Sequence, residues 1–164
     1  MSDQGFQLPT PGPEHELMKP FEGTFKSEVK MWFGPGEPSI STGTMINSWD
    51  LGGLYLTQHY TGDAMEGPFP GFQGRGYWGY NQGQKQFEGF WIDNVSSAMQ
   101  TEQGNVDPSG KVWEMRSEFH HGDAVMQKRS EIKVVSDDEH VMSSFVTPPG
   151  GEEFKNMEIT YKRA

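Results

Sequence analysis

The side chains best placed to do chemistry in this chain are its five histidines, His15, His59, His120, His121 and His140, and the acids beside them. His120-His121-Gly122-Asp123 gathers two imidazoles and a carboxylate, a donor set that suits zinc. Adjacent residues on a strand point to opposite faces, however, and an exposed turn accounts for the run equally well. Glu14-His15-Glu16 fits the surface of a short helix. No His-x-Glu-x-x-His pairing occurs, and no metal site is expected. The chain has no cysteine, which removes thiolate nucleophiles, thiolate metal sites and disulfides. No Gly-x-Ser-x-Gly elbow frames a serine nucleophile.

Gly150-Gly151-Glu152-Glu153-Phe154 matches the loop signature of diguanylate cyclases, in which glycines admit a nucleotide phosphate and the acids hold metal. That activity needs a whole α/β domain around the loop. Here the run lies near the C-terminus among strands, and Pro148-Pro149-Gly150-Gly151 reads as a turn. Catalytic residues therefore stay unassigned by motif.

The elements that position these side chains are strands. At 164 residues the chain is expected to form one domain with a single core. Pro9, Pro11 and Pro13 with two glycines predict a flexible arm over 1–13, ahead of a domain over 14–164. The segment Pro13 to Gly23 allows one short helix, with Pro13 at a first helical position and Pro20 and Gly23 as its stops. Beyond it no segment holds an apolar period of 3.6, and turn residues recur every 8 to 12 positions. In Thr24 to Phe33, Phe25, Val29, Met31 and Phe33 share one face, opposed by Lys26, Glu28 and Lys30. Trp113, Met115 and Phe119 alternate with Glu114, Arg116 and Glu118. Met157, Ile159 and Tyr161 alternate with Asn156, Glu158 and Lys162. About ten strands joined by short turns must pair antiparallel. Closure removes the two bare edges of such a meander. The expected fold is thus all-β, a single antiparallel up-and-down barrel with a short N-terminal helix. A two-sheet sandwich is the alternative.

The formal charge of −10 repels phosphate backbones, so no nucleic-acid partner is expected. The opening residues have neither a basic n-region nor an apolar h-region, so no secretory signal is expected. No run reaches the ~18 apolar residues of a membrane span, so no membrane partner is expected either. The lack of cysteine fits a reducing compartment, and a cytoplasmic location is expected.

Six segments, "HELMKPFEGTF" (His15 to Phe25), "LGG" (Leu51 to Gly53), "GYN" (Gly79 to Asn81), "FWID" (Phe90 to Asp93), "DPSGKVW" (Asp107 to Trp113) and "ITYKR" (Ile159 to Arg163), run in the order and spacing of the domain of unknown function 1579 family. The resemblance covers about residues 14–163 and rests on the ordered set. The chain departs from it with Phe25 where the family usually has Trp, and with Asn81 where it usually has Asp. The family is similar to calycin-type barrels, which include lipocalins and haem-binding nitrobindins. That resemblance implies barrel closure by Phe25 under Arg163, a structural role. It also implies haem as a candidate cofactor, which needs an axial ligand inside the barrel. His59 lies opposite Leu54 and Leu56 and is expected to face outward; His140 opens a strand near a rim.

Two functional classes remain open. In the first, the barrel binds a small hydrophobic or amphipathic molecule. The strand phases nominate Met31, Trp91, Trp113, Met115, Phe119 and Tyr161 as its lining, with Ser27 and Ser117 on the same faces. The same residues could equally fill a closed core. In the second class, an enzyme uses polar residues of the lining. A convergent cluster of buried titratable groups would favour the enzyme, and a mostly apolar wall the binder. Residues 76–93 hold six aromatics in eighteen positions, with large rings on both faces. Trp91 is expected to line the barrel, while Trp78 and Phe90 need an outer cover: the N-terminal arm or a second subunit through the 76–93 hairpin.

Overall fold

Alternation of apolar and polar residues drives the chain into ten strands that close on themselves. The computed structural model describes residues 5–164. A helix, α1 (Pro13–Leu17), and a 3-10 turn over Lys19–Phe21 precede the strands. These are β1 (Gly23–Met31), β2 (Ser39–Asp50), β3 (Tyr55–Gly62), β4 (Gln73–Asn81), β5 (Gln86–Asp93), β6 (Gln100–Val106), β7 (Val112–His121), β8 (Ala124–Ser136), β9 (Glu139–Thr147) and β10 (Phe154–Arg163). Each pairs antiparallel with its neighbour in sequence, and β1 closes the barrel against β10 with Phe25 opposite Arg163. The expected fold is the observed one, an up-and-down barrel of ten strands with one short helix. The first strand stops at Met31. Phe33, expected on its inner face, lies beyond it and is 66% exposed.

One end of the barrel is sealed from within. Met18 and Phe21, just after α1, enter it and are buried against Leu56, Trp78, Phe87, Trp113, Met115 and Ile132. Phe21 meets Trp113 edge-on at 5.4 Å between centroids, and Phe87 meets it at 4.4 Å, separations in the favourable range for aromatic pairs. The chain leading into this plug is tied down locally: the Gly12 N–H donates to His15 Nδ1 at 2.9 Å, and the Asn47 amide donates to the Phe21 carbonyl at 2.7 Å. The Thr10 carbonyl approaches the Gln82 amide at 3.5 Å, so the start of the chain runs past the β4–β5 turn.

Arg163 caps the β1–β10 seam. Its guanidinium lies 4.6 Å from the Phe25 ring centroid. It donates to the carbonyls of Glu22 (2.8 Å) and Asp137 (2.7 and 3.1 Å) and pairs with Asp138 at 3.3 Å. Below it His140 stacks on Tyr161 at 4.7 Å and meets Phe25 and Phe21 edge-on at 4.7 and 4.9 Å. Burial, with a smaller push from the Arg163 charge, lowers the His140 pKa from 6.5 to about 4. Between those two values the unfolded chain binds the proton and the folded barrel does not. Stability is therefore complete above pH 6.5 and declines as pH falls towards 4, by about 3 kcal/mol for a shift of this size. Urea unfolding at pH 7 and pH 4.5 checks this: His140→Phe is expected to lose less stability between the two pH values than the native chain. Equal losses in both proteins would show that His140 does not carry the effect.

Candidate functional site

The two halves of the barrel differ in how their inward side chains are packed. At the sealed end Trp113 and Met115 are 0% and 1% exposed, so these two nominated lining residues are core. Tyr161 is likewise buried, in a second cluster with Phe25, Val29, Met45, Tyr60 and Ile159, and burial pushes its hydroxyl pKa up. Ser27 and Tyr60 share a hydrogen bond of 2.8 Å within that cluster. Towards the other end the inward residues are only half-buried: Met31, Trp91, Phe119, Met126 and Ser117 all keep contact with water. The nominated lining therefore divides: Met31, Trp91 and Phe119 are inner-wall residues that keep contact with water, and Trp113, Met115 and Tyr161 are packed in the core.

The inner wall also carries titratable groups that belong to no motif in the sequence. In β8 the inward phase runs Met126, Lys128, Ser130, Ile132, and Lys128 sits opposite Ser117 of β7. In β6 the inward phase is Gln100, Glu102, Gly104. The β6–β7 register, Gln103 opposite Arg116, continued by one residue puts Glu102 beside Ser117 as well. Glu102 and Lys128 thus stand two strands apart on one ring of the wall. Trp78 Nε1 donates to Glu102 Oε1 at 2.8 Å, and Trp91 Nε1 donates to Asp93 Oδ2 at 3.0 Å. Each carboxylate is thereby fixed by an indole of the wall.

Burial dominates the protonation of this group. It pushes the Glu102 carboxyl above the usual carboxylate range, opposed by the Lys128 charge and the Trp78 N–H. It pushes the Lys128 ammonium below the usual lysine range, opposed by Glu102 and Asp93. The carboxylates act on Lys128 through space; none of them is its hydrogen-bond partner. Both side chains lie on the inward phases of their strands and are half-buried.

Register explains why the aromatic hairpin carries rings on both faces, and it corrects one expectation. Trp78 is paired with Gly89, and paired residues of an antiparallel ladder point to the same side. Trp78 therefore faces inward with Phe87 and Trp91 and is 6% exposed; it needs no outer cover. Tyr80 also faces inward, 4.9 Å from Phe87. The rings left outside are Tyr77 and Phe90, stacked at 5.6 Å, with Tyr55 edge-on to Tyr77 at 6.4 Å. With Leu51 and Gly79 they line an outer concavity of about 570 Å³. The glycines of the hairpin are where the indoles lie. A Cβ on Gly89 would overlap Trp78, and one on Gly74 would overlap Trp91.

Haem has no imidazole presented to it in the hollow. His59 is on the outer face, as expected. His140 is 5% exposed and enclosed by the Phe21, Phe25 and Tyr161 rings, where a porphyrin would have to displace the floor of the barrel. The residues present do not fit an axially ligated haem. Among the described residues no group of three or more His, Asp or Glu gathers as a metal cage. Glu153 of the Gly-Gly-Glu-Glu-Phe run pairs with Arg129 at 2.8 Å, and the preceding prolines and glycines form the β9–β10 turn. Among the described residues no helix is long and apolar enough to cross a membrane.

These features belong to a ten-stranded antiparallel up-and-down barrel with one end plugged. The chain belongs to the family described as "Protein of unknown function (DUF1579)", which matches residues 10–163. No curated protein sequence matches it. Among solved structures, the S-type phycobiliprotein lyase CPES from Guillardia theta is similar in fold, with a TM-score of 0.61 over 92% of both chains at 11% identity.

The contact between Trp78 and Gly89 can be checked directly. Gly89→Ala is expected to push the indole off its place, lengthen its bond to Glu102 and lower stability by about 1–3 kcal/mol, the usual cost of overpacking. Urea unfolding measures it; an unchanged midpoint would mean that the indole does not lie across Gly89.

Proposed function

We propose that this protein binds a small amphipathic molecule in the unplugged half of its barrel. The observation that carries the reading is the pairing of half-buried apolar rings with charged groups inside one hollow. Trp91, Phe119, Met31 and Met126 offer apolar surface, Glu102 and Lys128 offer a polar terminus deeper in, and Asp93 lies nearer the open rim. A hollow of this kind suits a ligand with an apolar body and one polar head, since a charge inside the wall is retained only where something polar meets it. The wall is neither wholly apolar nor a bare cluster of titratable groups, so the binding class leads and chemistry at the charged group is secondary to it. Exposed apolar side chains ring the loops at the open end, Phe33, Met65 and Met99 among them, and would ease the passage of an apolar ligand. The likeness to the phycobiliprotein lyase supports the barrel; the ligand is argued from the hollow.

Displacement of a fluorescent naphthalene sulfonate by decan-1-ol tests the reading. Saturable competition at one site is expected. Trp91→Ala and Phe119→Ala should each weaken it about 10-fold, the effect of losing part of a buried ring. Tyr77→Ala, on the outer wall, should leave it unchanged. Competition that does not saturate, or that ignores both inner variants, would contradict the proposal.

The outer wall supports a second, separate reading. The stacked Tyr77 and Phe90, next to Leu51 at 62% exposure, form an apolar surface suited to a second copy of the chain. Sedimentation of the native protein is expected to show a dimer and Phe90→Arg a monomer; a monomeric native protein overturns this reading.

A further inference from the structure

We propose that Lys128 captures a carbonyl-bearing amphiphile, an aldehyde or ketone with an apolar tail, as a reversible imine inside the barrel. The inference rests on the binding reading above and names the chemical class that the hollow takes. Among the lysines of this chain, Lys128 occupies a singular position. Lys26 and Lys133 lie on the outer face and are exposed, as are Lys85, Lys111 and Lys162, while Lys19 pairs with Glu16 at 2.6 Å and Lys155 pairs with Glu158. Lys30 lies on the outer phase of β1, opposite Glu158 of β10. Lys128 alone is carried by the inward phase of a strand, between Met126 and Ser130, with Ser117 and Val146 as its cross-strand neighbours. Among the described residues no acid is hydrogen-bonded to it.

An amine adds to a carbonyl only as the free base, and desolvation is how a protein supplies that form. The wall around Lys128 does this, because burial outweighs the pull of Glu102 and Asp93. Glu102 is biased the opposite way, towards the neutral acid, and it stands on the same ring of the wall with its Oε1 fixed by Trp78. Burial thus biases an amine and a carboxyl group on one ring of the inner wall towards their uncharged forms, the forms that carbonyl addition uses.

The step balances without a further reactant. The Lys128 nitrogen lone pair forms a C–N bond to the carbonyl carbon, and the C=O π pair moves to oxygen, which takes the Glu102 proton. The nitrogen returns a proton to the Glu102 carboxylate. The carbinolamine hydroxyl then takes the Glu102 proton and leaves as water as the C=N bond forms, and the iminium N–H returns that proton to the Glu102 carboxylate. Aldehyde and amine give imine and water, and hydrolysis through the same groups releases the ligand. The open end of the hollow is the route by which that water enters and leaves.

Reductive trapping tests the proposal. The full chain is incubated with decanal and sodium cyanoborohydride, and the alkylated lysines are located by peptide mass mapping. The expected result is one decyl group, on Lys128, formed faster than on any surface lysine. Lys128→Arg, which cannot form the imine, should lose the adduct. Glu102→Gln should retain the site of labelling but slow it about 100-fold, as expected for loss of a general acid. Urea midpoints of both variants confirm that they are folded. Decan-1-ol binding together with labelling spread evenly over surface lysines overturns this inference and leaves the binding reading standing. Failure of decan-1-ol to bind, with no selective labelling, overturns both.

Discussion

Closure is the constraint from which the rest of this structure follows. Once β1 pairs with β10 there is a single inside, and the two-residue period of every strand decides which side chains enter it. A ten-stranded ring encloses more space than its own apolar side chains need to fill. Here the plug that follows α1 takes up one end, with Met18 and Phe21 packed among Trp78, Phe87 and Trp113. Nothing equivalent enters from the other end among the described residues, and water reaches Trp91, Phe119 and Lys128 there.

The indoles link the filled half to the hollow one. Trp78 belongs to the packed cluster by its ring and to the charged group by its N–H, since it lies across Gly89 and donates to Glu102. Trp91 repeats the device higher in the barrel, lying over Gly74 and donating to Asp93. The glycine-rich aromatic hairpin is thus a mechanical support for two carboxylates. Each acid is oriented by a donor that is itself locked in packing, an arrangement that costs little reorganisation when a ligand arrives.

Much of the fold was legible in the sequence because alternation and turn residues are local signals. The ten strands, the short helix and the meander order follow from them; the position of Arg163 above Phe25 was implied by the family resemblance alone. Which face a strand shows to the interior was harder to read where both faces carry rings. Rings on both faces of the hairpin suggest an outer cover for Trp78; the register pairs it with Gly89 and shows that the ring fills the inner place of the missing side chain. Glu102 and Lys128 were missed for a different reason. Their strand phases were readable, since Lys128 falls between Met126 and Ser130 on the face of Ile132, but a charge on an apolar phase is easily taken for a solvated edge. The ring of the wall that joins them depends on pairing across β6, β7 and β8, which no local pattern contains.

The division of the barrel into a packed half and a hollow half bears most directly on what the protein carries in its cell. Native mass spectrometry of the chain purified from its own host measures this in one step. The account predicts a small molecule retained on the native protein and lost from a variant in which Phe119 and Trp91 are both replaced by alanine. A bare polypeptide mass for the native protein under gentle ionisation would contradict it.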